Sequence, residues 1–116
     1  MNIAPQTDLA TLARRYDAFF VDQFGVLRDD DRAYPGANAA LLHLKALGKT
    51  IIILSNSGRS GDYNAERLVR FGFDRAGFDR FLTSGDVAHA ILARETSEHA
   101  ESTRCLTISS GGDRNL

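Results

Sequence analysis

The sequence has one cysteine, no basic run and no long apolar stretch, and each shortage excludes a class of protein. Cys105 has no partner for an intrachain disulfide, which is compatible with a reducing compartment, and the cytoplasm is the expected location. The strongest apolar runs, 18–21 and 51–54, fall far short of the roughly 20 residues that cross a bilayer, so no membrane association is expected. Met1-Asn2-Ile3-Ala4-Pro5 lacks the charged segment and apolar stretch of a secretory signal. Fourteen Lys and Arg against fifteen Asp and Glu give a net charge of -1, with no stripe suited to a phosphate backbone, so nucleic acid is not an expected partner.

What is present points to a folded domain. At 116 residues, 43% hydrophobic and 25% charged, the chain has the composition of a globular protein and the size of one domain or a piece of one.

The apolar periodicity alternates between helix and strand. A short helix is expected over 7–16, with Leu9, Leu12 and Ala13 inward. Ala18-Phe19-Phe20-Val21 follows without polar alternation, the pattern of a strand covered on both faces, and it stops at Asp22. Residues 25–32 read as a loop or small hairpin. Pro35 suits the first position of a helix carrying Ala37, Ala40, Leu41, Leu44 and Leu47, which Gly48 ends. A second buried strand spans 49–54, followed by the loop Ser55-Asn56-Ser57-Gly58 and a helix from about Asp62 to Phe71. Gly72 is expected as its left-handed C-cap, with Phe73 packing back. Residues 80–83 form a third strand, and Ser84 caps a helix containing Val87, Ala88, Ile91 and Leu92. The polar stretch 95–102 reads as a linker or exposed helix end, and 104–109 as a fourth strand. Such alternation implies an α/β domain with a parallel sheet, in which ligands bind at the C-terminal ends of the strands, here Asp22 and Ser55.

An acid at the end of a strand buried on both faces loses hydration that a cation or N–H donors must replace. Asp22 is therefore a candidate nucleophile or metal ligand, the plainer reading being a cap for the next loop. The Ser55 hydroxyl, with the N–H of Asn56, can hold a phosphate oxygen, although both are also ordinary turn residues. Arg59 could reach such a phosphate or be a solvated loop residue. His89 and His99 have no partner at zinc spacing, His43 is expected to face solvent, and Cys105 reads as a buried small residue. No Gly-x-Gly-x-x-Gly or Gly-Lys-Ser/Thr pattern supports a dinucleotide or P-loop site.

Taken together, these residues resemble the haloacid dehalogenase-like superfamily. Phe19-Phe20-Val21-Asp22-Gln23-Phe24-Gly25-Val26-Leu27 is similar to its first motif, a strand ending in the nucleophilic aspartate and a Gly-containing flap. Ile51-Ile52-Ile53-Leu54-Ser55-Asn56 resembles the second, ending in the phosphate-binding Ser or Thr. Tyr34-Pro35-Gly36-Ala37, Leu47-Gly48-Lys49 and Thr83-Ser84-Gly85-Asp86 resemble the branch of pyridoxal, nitrophenyl and nucleotide phosphatases, whose cap domain lies between motifs two and three. The resemblance covers about 16–92. It implies part of a three-layer Rossmann-like fold, with a core portion over 1–94 and a linker and incomplete cap over 95–116.

By the same resemblance, Asp22 would be nucleophile and Mg2+ ligand, Ser55 and Asn56 phosphate binders, and the backbone carbonyl of Phe24 a second Mg2+ ligand. The implied activity is hydrolysis of a small phosphorylated metabolite through an aspartyl-phosphate. Two departures stand out. Phe24 occupies the position of the general acid, and a phenyl ring cannot donate a proton. The lysine of the third motif and the paired acids of the fourth are not among these residues; Lys45, expected on a helix surface, and Lys49, at the wrong end of a strand, do not replace them. Asp29, Asp30 and Asp31 could substitute for the missing acid or form a solvated turn. The alternative reading is a noncatalytic module that keeps the phosphate pocket. With the later strands absent, the strand ending at Asp22 is expected at an open edge, a route to homo-oligomers.

Overall fold

The computed structural model of the chain describes residues 5–98 together with Arg104, Leu106 and Ile108. Its elements are α1 (Leu9–Arg15), β1 (Ala18–Asp22), α2 (Ala37–Ala46), β2 (Thr50–Ser55), α3 (Gly61–Arg70), a short 3-10 turn (Arg75–Gly77), β3 (Arg80–Thr83) and α4 (Ser84–Glu98). The strands form one parallel sheet in the order β1-β2-β3, with Asp22 opposite Leu54 and Ser55 opposite Thr83. This is the expected α/β architecture, and among the described residues β1 lies at a sheet edge, as foreseen.

Register assigns the two faces. Phe19, Val21, Ile51, Ile53 and Phe81 point the same way and meet Leu41 and Leu44 of α2, Ala65 and Leu68 of α3, and Phe73, Phe78 and Leu27 from the connections. Ile51, Ile53 and Leu68 are completely buried there. The other face carries Phe20, Ile52, Leu54 and Leu82, and Val87 and Ile91 of α4 stand beside it. Phe20 is 70% exposed. The expectation that β1 is covered on both faces is therefore corrected: its burial alternates, because α2 and α3 lie on one side and no described element covers Phe20 on the other.

Local signals set most boundaries. Asp8 caps α1, its carboxylate accepting the Thr11 N–H at 2.7 Å, and Ser60 caps α3 through the Tyr63 N–H at 3.1 Å. At the end of α3, Gly72 has φ of 101°, its N–H reaches the Val69 carbonyl at 2.9 Å, and the Phe73 N–H reaches Leu68 at 3.2 Å. That paired arrangement lets buried Phe73 pack back toward Leu68, as anticipated.

Two caps differ from expectation. Pro35 is not the first helical residue of α2: it lies in the preceding turn, and left-handed Gly36 takes the cap position. Thr83, rather than Ser84, caps α4, because its hydroxyl oxygen accepts the Asp86 N–H at 3.1 Å. The helix continues to Glu98 with Glu95 exposed, in keeping with an exposed helix end. Of the strand expected over 104–109, Arg104, Leu106 and Ile108 have no regular structure and are exposed; the rest lies outside the described residues.

Candidate functional site

The parallel pairing of β1 with β2 brings Asp22 and Ser55 to neighbouring strand ends, where both border one open cleft of about 700 Å³ with Asn56, Leu54 and Phe20. Val87 and Ile91 of α4 line its far side. Asp22 is exposed, and one carboxylate oxygen accepts the N–H of Gln23 at 2.9 Å. The desolvation argued from two-sided burial is thus absent among the described residues, since the face of β1 that carries Asp22 is open. Ser55 is half-buried and its hydroxyl oxygen accepts the Ser57 N–H at 3.2 Å, while Asn56 is exposed.

The loop after Ser55 is fastened from below. The Ser57 hydroxyl oxygen accepts the Arg59 N–H at 3.1 Å and the Asn64 side-chain amide at 3.2 Å, and that amide also reaches the Ser60 carbonyl at 2.9 Å. Asn64 is 3% exposed. The Asp86 carboxylate accepts N–H groups from Gly61 at 2.9 Å and from Thr83 at 3.1 Å, and the Thr83 hydroxyl donates to the Arg59 carbonyl at 2.6 Å. A reciprocal capping pair at the start of α4 thus also holds the start of α3. Gly61 and Gly85 permit this approach, because a Cβ on either would collide with the carbonyl of Phe81 or Gly58. Asn64 carried no expected role, and Asp86 was singled out only as part of the Thr83-Ser84-Gly85-Asp86 motif, not as a tie between helices. Signals existed for both: a lone polar residue beside Ala65 and Leu68 on the inner side of α3, and the spacing Thr83-x-x-Asp86.

The flap is a small hairpin, in agreement with expectation, and Phe24 and Ala33 flank Arg28 in its bridges. Its interior holds a buried arginine. With the Gln23 amide oxygen turned toward it, Arg28 donates to that oxygen from Nε at 3.0 Å and Nη2 at 3.2 Å, and Nη1 donates to the Asp29 carbonyl at 2.8 Å. The guanidinium also lies 4.7 Å from the centre of the Phe71 ring. Burial first, then the charge of Arg67, pushes Arg28 below the usual arginine value.

The remaining candidates fall elsewhere. Asp29 forms the turn, its carboxylate accepting the N–H groups of Asp31 and Arg32 at 2.9 Å each; those bonds hold its pKa below the ordinary value. None of Asp29, Asp30 and Asp31 lines the Asp22 cleft. Lys45 is engaged with Asp79 at 2.7 Å rather than simply exposed on its helix, and Lys49 faces Asp17 at 3.4 Å, at the far end of the sheet from Asp22. The Arg59 guanidinium lies over the Tyr63 ring at 4.5 Å. His43 and His89 are exposed, and His99 and Cys105 lie outside the described residues.

Asp22 and the Phe24 carbonyl are the hard oxygen donors that Mg2+ takes, and no hydrogen bond from the described residues occupies that carbonyl. Two oxygens are a third of a six-oxygen shell. No group of three His, Cys, Asp or Glu suited to a metal occurs among the described residues, so these residues fit part of a Mg2+ site and do not complete one. Among the described residues no helix is long and apolar enough to cross a membrane.

No curated protein matches the chain significantly. A crystal structure of a hydrolase of the haloacid dehalogenase-like family from Brucella suis 1330 superposes with a TM-score of 0.70 at 36% identity, over 78% of this chain and 34% of that one. The chain thus spans about a third of that hydrolase's length. The family model for haloacid dehalogenase-like hydrolases matches residues 19–116, from the strand that carries Asp22 onward. With an acid and a serine at the ends of adjacent parallel strands, the chain belongs to the haloacid dehalogenase-like hydrolase family.

Proposed function

We propose that these residues supply the nucleophile and the phosphate-binding loop of a phosphatase acting on a small phosphorylated metabolite. The observation that carries this reading is the placement of Asp22 and Ser55 at adjoining strand ends, bordering one cleft. Asp22 is open to solvent on its cleft side, so an ester phosphorus can approach an oxygen that the Gln23 N–H does not occupy. That oxygen attacks phosphorus, and the bond to the leaving oxygen breaks with its electron pair. Water then attacks the acyl phosphate, releasing phosphate and restoring the carboxylate. Ser55 and Asn56 steady the phosphate oxygens through the serine hydroxyl and the asparagine N–H.

Asp22 and the Phe24 carbonyl would hold Mg2+ together with further ligands, and the bound ion would neutralise phosphate charge. Since Phe24 has no proton to give, the departing oxygen takes one from water, which favours esters whose leaving group is a weak base. The motifs at 34–37 and 83–86 support the branch of pyridoxal, nitrophenyl and nucleotide phosphatases.

The proposal is tested with an aryl phosphate in a full-length family protein carrying these residues. Asp22→Asn should abolish turnover, and Ser55→Ala should weaken it about tenfold to a hundredfold, as expected for one lost hydrogen bond to a charged group. Turnover unchanged in Asp22→Asn removes Asp22 from the mechanism. If wild type binds phosphate without turning over the ester, the second reading holds: a phosphate-binding module without catalysis, which Phe24 favours.

A further inference from the structure

Helix α3 separates its charges. Tyr63, Arg67 and Arg70 stand at i, i+4 and i+7 and share one side, which borders a cleft of about 460 Å³ against Asp31 and Arg32 of the flap and the ring of Phe71. Asp62 and Glu66 border a different cavity, with Val69 and Arg75. Among the described residues no carboxylate comes within ion-pair distance of Arg67 or Arg70.

A further positive charge lies beneath. Arg28 is 5% exposed and sits 4.7 Å from the Phe71 ring centre, with the Arg67 guanidinium 5.9 Å from the same ring. One aromatic ring attracts both cations and neutralises neither. The nearby acids are partly committed: the Asp29 carboxylate holds two backbone N–H groups and lies a long 3.9 Å from Arg32, Asp30 is exposed, and only Asp31 borders the cleft. Three guanidiniums therefore border the cleft with one carboxylate.

We propose that the cleft between the flap and α3 binds a phosphate or polyphosphate group, at a site separate from Asp22 and Ser55. Arg67 and Arg70 offer planar forks suited to bidentate contact with phosphate oxygens, Tyr63 adds a hydroxyl, and Arg32 extends the positive rim. A ligand there touches both the flap after Asp22 and helix α3 after the Ser55 loop, so its occupancy bears on the two segments that carry the proposed chemistry.

The test is titration of the 116-residue chain with pyrophosphate, followed by backbone amide shifts at constant ionic strength, with sodium chloride and inorganic phosphate as comparison titrants. Saturable shifts centred on residues 31–32 and 67–71 are expected. They should weaken at least tenfold in the double variant Arg67→Ala, Arg70→Ala and persist in Ser55→Ala. The double variant Arg67→Lys, Arg70→Lys keeps the charge but not the forks, and should bind between wild type and the alanine form. Inorganic phosphate should bind more weakly than pyrophosphate if a polyphosphate is the fitting ligand, and equally if a single phosphoryl group is. Non-saturating shifts, shifts reproduced by chloride, or shifts lost in Ser55→Ala and kept in the alanine double variant would overturn the proposal.

Discussion

Asp86 reaches Gly61 across the sheet's C-terminal end, both of its carboxylate oxygens accepting the Gly61 N–H at 3.0 and 2.9 Å. The same carboxylate accepts the Thr83 N–H, so one side chain ties the start of α3 to the end of β3. The loop after Ser55 leads from the end of β2 into that start of α3. Replacing Asp86 with alanine should lower stability by about 2–3 kcal/mol, combining loss of a charged acceptor with loss of a helix cap. Asp86→Asn keeps one acceptor oxygen and should cost less. Urea unfolding of the two variants provides the comparison.

The acid limb of the stability curve should depend on Asp79. Its carboxylate meets Lys45 at 2.7 Å and accepts the Ile51 N–H at 2.7 Å, and these contacts, the lysine first, hold it below its ordinary value of 3.8. Because the folded value is depressed, the contribution is complete above the unfolded value and is lost as pH falls from about 4 through the folded one. The pair is partly exposed, which limits its size. Thermal unfolding between pH 5 and pH 2 should fall less steeply for Asp79→Asn; an identical acid limb would exclude Asp79 as a contributor.

Phe20 should govern self-association. It is 70% exposed on the edge strand β1, beside the half-buried Ile52 and Leu54. An open edge with an apolar face favours pairing between copies. Sedimentation velocity should show concentration-dependent association for the 116-residue chain and a shift toward monomer for Phe20→Lys. A wild type that stays monomeric at high concentration would contradict this.

Hydrogen exchange should rank the strands. Ile51 and Ile53 of central β2 are fully buried and should exchange slowest, while β1, paired on one side, should retain fast-exchanging amides in a monomeric sample. Uniformly slow exchange across β1 would show that its free edge is covered.

The legibility of this sequence depended on how local each cause is. β3 at 80–83 and the Gly72–Phe73 ending of α3 could be read directly because a short apolar run and a left-handed glycine act within a few residues. The strand ends bearing Asp22 and Ser55 were readable for the same reason. Phe20 misled, because an unbroken apolar run reports what the strand can bury and not what lies beside it. Arg28 was hidden for another reason: its ring partner Phe71 is 43 positions away, and among three aspartates a charge reads as solvated. Asp86 carried a local capping pattern, yet its bond to Gly61 arises only once α3 and α4 start side by side.

The most direct measurement is chemical trapping of the intermediate. A full-length family protein carrying these residues, quenched during turnover of an aryl phosphate and reduced with borohydride, should yield a peptide in which residue 22 has become homoserine, with Asp29, Asp30 and Asp31 unmodified. Conversion at another acid, or steady turnover with residue 22 never modified, would contradict the assignment of Asp22 as the nucleophile.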